Sequence, residues 1–190
     1  MEVNKKVNEA FMKQKGFTLV ELLVAIGIIG ILSSIAVVSV SNVRAKARDA
    51  KRVADVKQVQ TALESYMNDK GEYPAFQGNL GVNNGGNVIN KLCGDTSAGF
   101  QNADCAATTY MSPVPANPAP NTMEYKYVSR TNATPAAACT GVAGESCVSY
   151  KIYFKLESGA GTLPKGTYEA NENGIVSRGD FSVDPNGLTF

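Results

Sequence analysis

Glu21 is the only charged residue between Phe17 and Val40. A carboxylate at the centre of a membrane-length helix costs roughly 2.5–3.5 kcal/mol on insertion scales, so a charge kept near the start of such a run implies a use for it. The simplest use is pairing, because a carboxylate taken out of water is tolerated when an opposite charge meets it. Four cysteines, Cys93, Cys105, Cys139 and Cys147, offer a second kind of chemistry. None falls in a Cys-x-x-Cys pair. A four-thiolate zinc site is the rival of disulfides, although the spacing is too wide for the usual knuckles. Four cysteines permit three disulfide connectivities. Pairing of neighbours, Cys93 with Cys105 and Cys139 with Cys147, closes the shortest loops and is the expected one. Disulfides persist in oxidising compartments, which puts the cysteine-bearing part outside the cytoplasm. Histidine is absent, and with it the commonest general base and metal ligand. There is neither a P-loop nor a Gly-x-Ser-x-Gly elbow. The residues therefore predict no enzyme and no cofactor, and a net charge of +1 exerts no global pull toward nucleic acid or acidic substrates.

The elements that must position these groups follow from patterning. From Phe17 to about Asp69 there is no proline, and the only glycines are Gly27 and Gly30. The first part is apolar on all sides and long enough to cross a bilayer, for which about 20 residues suffice. Beyond Asn42, Val53, Val56, Val59 or Gln60, Leu63, Tyr66 and Met67 recur at steps of three and four, the mark of an amphipathic helix. One long helix over residues 17–70 is expected, about 80 Å long if continuous, with its membrane part at about 17–40. It ends at Lys70-Gly71, where glycine can take the left-handed cap, and Pro74 keeps it from resuming. Residues 75–120, rich in Gly, Asn, Ala and Pro, predict a long loop with a short helix or strand, tied down by Cys93 and Cys105. Met111–Pro118 holds too much proline for a central strand. Strands are expected at Met123–Val128, at Val148–Leu156 by strict alternation, and at Thr167–Ala170 and Gly174–Ser177 around the turn Asn171-Glu172-Asn173-Gly174. Residues 131–144 read as a loop stapled by the second cysteine pair. The fold class is α+β, a long N-terminal helix whose second half packs on a small antiparallel sheet.

Lys13-Gln14-Lys15-Gly16-Phe17-Thr18-Leu19-Val20-Glu21-Leu22-Leu23 resembles the processing site of type IV prepilins and type II secretion pseudopilins. Ala62-Leu63-Glu64-Ser65-Tyr66 with Gly71-Glu72-Tyr73-Pro74 resembles the helix exit of pseudopilins and many pilins. The likeness covers residues 1 to about 74 and weakens to a general plan beyond. It implies a type IV pilin-like fold and a leader over residues 1–16, cut between Gly16 and Phe17 by a prepilin peptidase, with methylation of the new N-terminus. It implies an extracytoplasmic domain over residues 71–190. It also implies that Glu21, fifth in the processed chain, meets the amine of a neighbouring Phe17 and sets the register of a homopolymer. That polymer is built through the N-terminal helix by inner-membrane assembly machinery. A secretory signal is cut after its apolar run, whereas this cut precedes it, so the helix is retained. Arg44, Lys46, Arg48, Lys51 and Arg52 outnumber the leader's Lys5, Lys6, Lys13 and Lys15, and by charge alone favour the opposite topology. The cysteines and the resemblance outweigh that count and keep the N-terminus cytoplasmic.

Other constellations have competing readings. Gly27 and Gly30, with Ser33 and Ser34, fit close helix packing in lipid or a stretch that melts during assembly. Many major pilins carry a later proline where this chain has Val38. The basic run Arg44–Arg52 with Lys57 could hold anionic lipid or nucleic acid, but Asp49 and Asp55 can pair locally, which favours a solvated turn that later meets neighbouring subunits. Asp95, Asp104, Glu172, Asp180 and Asp184 are too scattered for a calcium loop. Arg178-Gly179-Asp180 and the sequon Asn132-Ala133-Thr134 are short enough to be chance. The expected function is that of a major pilin for adhesion, twitching motility or DNA uptake. It would sit among membrane lipid before assembly, in the inner or cytoplasmic membrane, and in an extracellular filament afterwards. A type II secretion pseudopilin is one alternative. A monomeric membrane-anchored binding domain, indifferent to Glu21, is another.

Overall fold

The computed structural model of the chain describes residues 16–81, 83–84, 87–95, 98–120, 124–133, 137–142 and 145–178. The leader up to Lys15, Met123, Thr134 of the sequon, Gly179, Asp180 and Asp184 lie outside the described residues. The chain divides into two compact units, residues 1–41 and 42–190. Helix α1 spans Leu19–Lys70 and contributes to each.

In the first unit α1 is a bare apolar rod. Every described large apolar side chain from Phe17 to Ile35 is more than half exposed. The helix runs unbroken through Gly27 and Gly30, where an added Cβ would meet no atom within 4 Å. The Ser34 hydroxyl donates to the Ile31 carbonyl at 2.7 Å, which satisfies it within the helix. By length and composition this stretch can cross a membrane.

In the second unit the same helix turns one-sided. Val56, Val59, Leu63 and Tyr66 are buried and Gln60 is half-buried, so the apolar stripe runs through Val59. The helix closes with Gly71 at φ +77° and its N–H on the Met67 carbonyl at 2.8 Å. Residue Tyr73 then donates its N–H to the Cys147 carbonyl at 2.8 Å, fastening the exit to the sheet.

The main sheet is antiparallel with order β1-β7-β8-β9-β10. Its strands are β1 Gln77–Asn79, β7 Lys126–Thr131, β8 Cys147–Ala160, β9 Leu163–Asn171 and β10 Gly174–Arg178. Tyr127, Tyr150, Ile152, Phe154, Leu156, Tyr168 and Ala170 point from it into the core that the helix stripe completes. Strand β7 is set later in the chain than the expected Met123–Val128, and β8 continues past the expected end at Leu156 to Ala160, across a bulge between Leu156 and Gly159 that breaks the period-two pattern. The hairpin turn lies at Glu172–Asn173, with Asn171 paired to Gly174.

The expected loop over residues 75–120 is more structured than its composition implied. Besides β1 it holds a pair, β2 Asn83–Asn84 and β3 Asn87–Val88, and a second sheet of order β5-β4-β6. That sheet consists of β4 Lys91–Cys93, β5 Phe100–Gln101 and β6 Thr109–Met111. Strands of two or three residues are too short to carry a period, so tertiary packing makes them. Phe100 lies 5.0 Å from Tyr127 and Tyr110 lies 5.2 Å from Tyr66, ring centre to ring centre. Gly81, at φ +68°, lets the chain pass Pro115, whose carbonyl oxygen would stand 2.3 Å from a Cβ there.

Candidate assembly site

Two carboxylates of α1, Glu21 in the first unit and Asp49 in the second, are held in different ways. Thr18 is the N-cap of α1 and Glu21 occupies the third helical position. The Glu21 Oε2 accepts the Thr18 N–H at 2.9 Å and the Thr18 hydroxyl at 2.8 Å, while the Glu21 N–H donates to Thr18 Oγ1 at 3.2 Å. This reciprocal arrangement is a capping box, which satisfies helix-end donors with side chains from within one turn. Glu21 is exposed, and Phe17 beside it is 91% exposed. The helix end therefore presents a carboxylate already oriented, on a rod whose apolar surface is uncovered.

The second carboxylate, Asp49, is fully buried. Its Oδ1 accepts the Glu157 N–H at 2.9 Å and Arg52 Nη1 at 2.6 Å, and its Oδ2 accepts the N–H groups of Ser158 at 2.6 Å and Gly159 at 2.8 Å. Arg52, equally buried, also binds Asn117 Oδ1 at 2.7 Å, the Pro118 carbonyl at 3.2 Å and Glu157 Oε1 at 2.5 Å. Arg48 closes the set with both Glu157 oxygens, at 3.2 and 2.5 Å. Burial pushes the Asp49 carboxyl up, but the three backbone donors and Arg52 outweigh it and hold it below the usual range. Hydrogen bonding from Arg48, aided by Arg52, draws Glu157 down to about 2. Asp55 differs: burial raises it, although the Tyr125 hydroxyl donates to its Oδ2 at 3.1 Å.

The cysteines are joined Cys93–Cys105 and Cys139–Cys147, with Cα atoms 5.4 and 6.1 Å apart. Each loop has an internal acidic clasp. Asp95 accepts the Ala106 N–H at 3.1 Å, and Glu145 accepts the N–H groups of Thr140 at 2.6 Å and Gly141 at 3.0 Å. Asp104 pairs with Lys91. Two of the scattered acids thus serve the first disulfide loop. The Cys93, Asp95 and Cys105 ligand atoms lie together, but both sulfurs are committed to each other.

Residues 11–37 match the model of the prokaryotic N-terminal methylation motif. The chain is 36% identical to the type II secretion system core protein G of Dickeya chrysanthemi over 37% of its length and 46% of that protein. It is 42% identical to the Escherichia coli protein of the same name over 33% of its length and 43% of that protein. With the type IV major pilin protein PilA of Myxococcus xanthus it shares 32% identity over 36% of its length and 31% of the pilin. Over its N-terminal segment the chain is similar to type IV pilins and type II secretion pseudopilins. It spans less than half the length of these curated relatives. No solved structure gives a significant match.

Several features of this geometry went beyond the sequence expectations. Thr18-x-x-Glu21 ahead of an apolar run is itself a capping-box signature, and was legible. The basic run is only in part the solvated face its composition suggested, since Arg44, Lys46 and Lys51 are exposed. Arg48 and Arg52 turn inward, and Arg52 is among the largest fully buried side chains of the described residues. The signal was positional: Asp49 and Arg52 continue, at steps of three and four, the stripe of Val56, Val59 and Leu63. Gly16 and Phe17 precede the helix, and Gly27 and Gly30 lie within it, so none of the four takes part in the buried cluster.

Proposed function

We propose that the chain is a structural subunit of a type IV pilus, a major pilin assembled through its N-terminal helix. One observation carries this reading: the start of a helix long enough to cross a membrane lies within a methylation motif, its described large apolar side chains up to Ile35 are uncovered, and it carries one carboxylate near its first turn. Such a surface has two solvents, lipid or copies of itself. Cleavage between Gly16 and Phe17 creates an amine next to Glu21, and exchange of that amine between neighbours sets the axial register. Burial of apolar area in the filament core, at about 25 cal/mol per Å², supplies adhesion. The unit from Asn42 onward, pinned by two disulfides, faces outward. The subunit has no catalytic role. It waits in the cytoplasmic membrane, is processed by a prepilin peptidase, and ends in a surface fibre.

The relatives named as secretion core protein G support a second reading, a pseudopilin of a type II secretion filament. The pilin relative is longer than this chain and the secretion proteins are shorter, as their covered shares show. Both readings share processing and polymerisation. Mass spectrometry of the mature protein tests the shared part, with a start at methylated Phe17 expected. A start at Met1, or one after Ser41, would sink both. Deletion of the gene then separates them: loss of sheared surface fibres with normal protein export marks the pilin, and the reverse marks the pseudopilin.

A further inference from the structure

The tip of the β8–β9 hairpin and α1 enclose a cleft of about 690 Å³, lined by Lys46 and Ala50 of the helix and by residues 158–164 of the hairpin. The Asp49 cluster builds it, because the Ser158 and Gly159 N–H groups are tied to that carboxylate. The acids beside the cleft are already neutralised: Asp49 by three amides and Arg52, Glu157 by Arg48 and Arg52. Lys46 lines the cleft, is exposed, and takes part in no ion pair among the described residues. Ser158 and Thr162 add hydroxyls. The cleft thus pairs a free cation with neutral hydrogen-bonding groups, a setting for a phosphate.

We propose that this cleft holds the phosphate-bearing headgroup of an anionic lipid while the subunit waits in the membrane, an inference that rests on the membrane-anchored state argued above. Lys46 follows Val40, the end of the apolar run, by six residues. At about 3.5 Å per residue even a fully extended link holds it within about 21 Å of that run. Basic residues just outside a membrane segment are drawn to anionic lipid surfaces. Two of the five cations in the run, Arg48 and Arg52, are spent on the buried cluster, which leaves the attraction to Arg44, Lys46 and Lys51, and of these Lys46 lines the cleft. A nucleic acid would need a track of cations spaced along its phosphates, and a single cleft offers none.

The test uses the full processed chain in nanodiscs of phosphatidylcholine alone or mixed with phosphatidylglycerol, read by hydrogen exchange. Amides of Ala160–Lys165 should exchange at least fivefold more slowly in the anionic discs. Lys46→Glu should abolish the difference and Lys57→Glu should keep it, with Tyr150–Leu156 amides unchanged in both as proof of folding. Equal exchange in the two lipids, in a folded and inserted chain, overturns the proposal and leaves the filament reading intact. The same slowing by inorganic phosphate in phosphatidylcholine discs overturns the lipid assignment in favour of a free anion. A chain that enters neither disc overturns the anchored state and this proposal with it.

Discussion

Glu21 and Asp49 are carboxylates of one helix that are satisfied by opposite means. Glu21 finds its donors in Thr18, three residues away, and remains open to solvent. Asp49 draws three of its four donors from across the chain, at separations of 108 to 110 residues, and is sealed from water. A charge satisfied locally is available before any partner arrives and can change partners at little cost. A charge satisfied at long range exists only in the folded unit and is part of what folds it. Changes at Asp49 should therefore report on folding, and changes at Glu21 on association.

The largest effect is expected at Asp49. Asp49→Ala leaves Arg52 and three backbone N–H groups without their acceptor in the interior, and removal of one partner of a buried pair costs about 3–5 kcal/mol. Denaturant unfolding of the full chain in detergent should show the loss, with Asp49→Asn falling between mutant and wild type because an amide oxygen still accepts. Wild-type stability in Asp49→Ala would mean that the cluster is ornamental. Next come the disulfides. In the chain-entropy picture, loops of this size contribute about 2.5–3 kcal/mol each. Reduction should lower the melting temperature accordingly, and peptide mapping without reductant should recover Cys93–Cys105 and Cys139–Cys147. Free thiols or crossed pairs would refute the pairing.

Acid should sharpen the same contrast. The folded pKa of Glu157, about 2, lies below its unfolded value of about 4.3. Its stabilisation is complete above about pH 5 and is lost as pH falls from about 4.3 toward 2. Asp49, also held low, acts in the same sense. Asp55, raised by burial, acts against them, since its protonation favours the fold. A melting series should therefore be flat near neutrality and fall below about pH 4.5, and Glu157→Gln should flatten that fall. An unchanged acid limb in the variant would remove Glu157 from the account.

How far the sequence foretold this structure depends on the range of the interactions involved. The helix, its exit at Gly71, the alternating strand through Tyr150–Leu156 and the β9–β10 hairpin depend on neighbours within a few residues, and all were legible. The small strands β1–β6 were not, since two or three residues carry no period, β1 takes its partner from distant β7, and the contacts of Phe76 and Phe100 with Tyr127 lie far along the chain. The candidate site divides the same way. Glu21 could be singled out because one charge in an apolar run is conspicuous. Asp49 and Arg52 were hidden by their neighbours, Arg44 to Lys51, whose charges resemble a solvated face until a fold selects two of them for burial.

The smallest effect on the fold, and the most informative one, is expected at Glu21. Glu21→Ala removes the one charge from the apolar run, so membrane insertion should become easier. The second unit should melt as wild type does, because the bonds of Glu21 are made to Thr18. Filament yield should nevertheless fall, because the amine of a neighbouring Phe17 would enter a low-dielectric core without a counter-charge. The capping box introduces a competing explanation, since alanine also strips the acceptor from Thr18. Glu21→Gln separates the two, because glutamine can occupy the same position of a capping box but carries no charge. If charge pairing drives assembly, the glutamine variant should yield as few sheared filaments as alanine, with a normal membrane pool. If it assembles like wild type while alanine does not, the cap alone matters and the register role fails. Wild-type filament yield in both variants would favour a membrane-anchored monomer whose apolar rod meets only lipid.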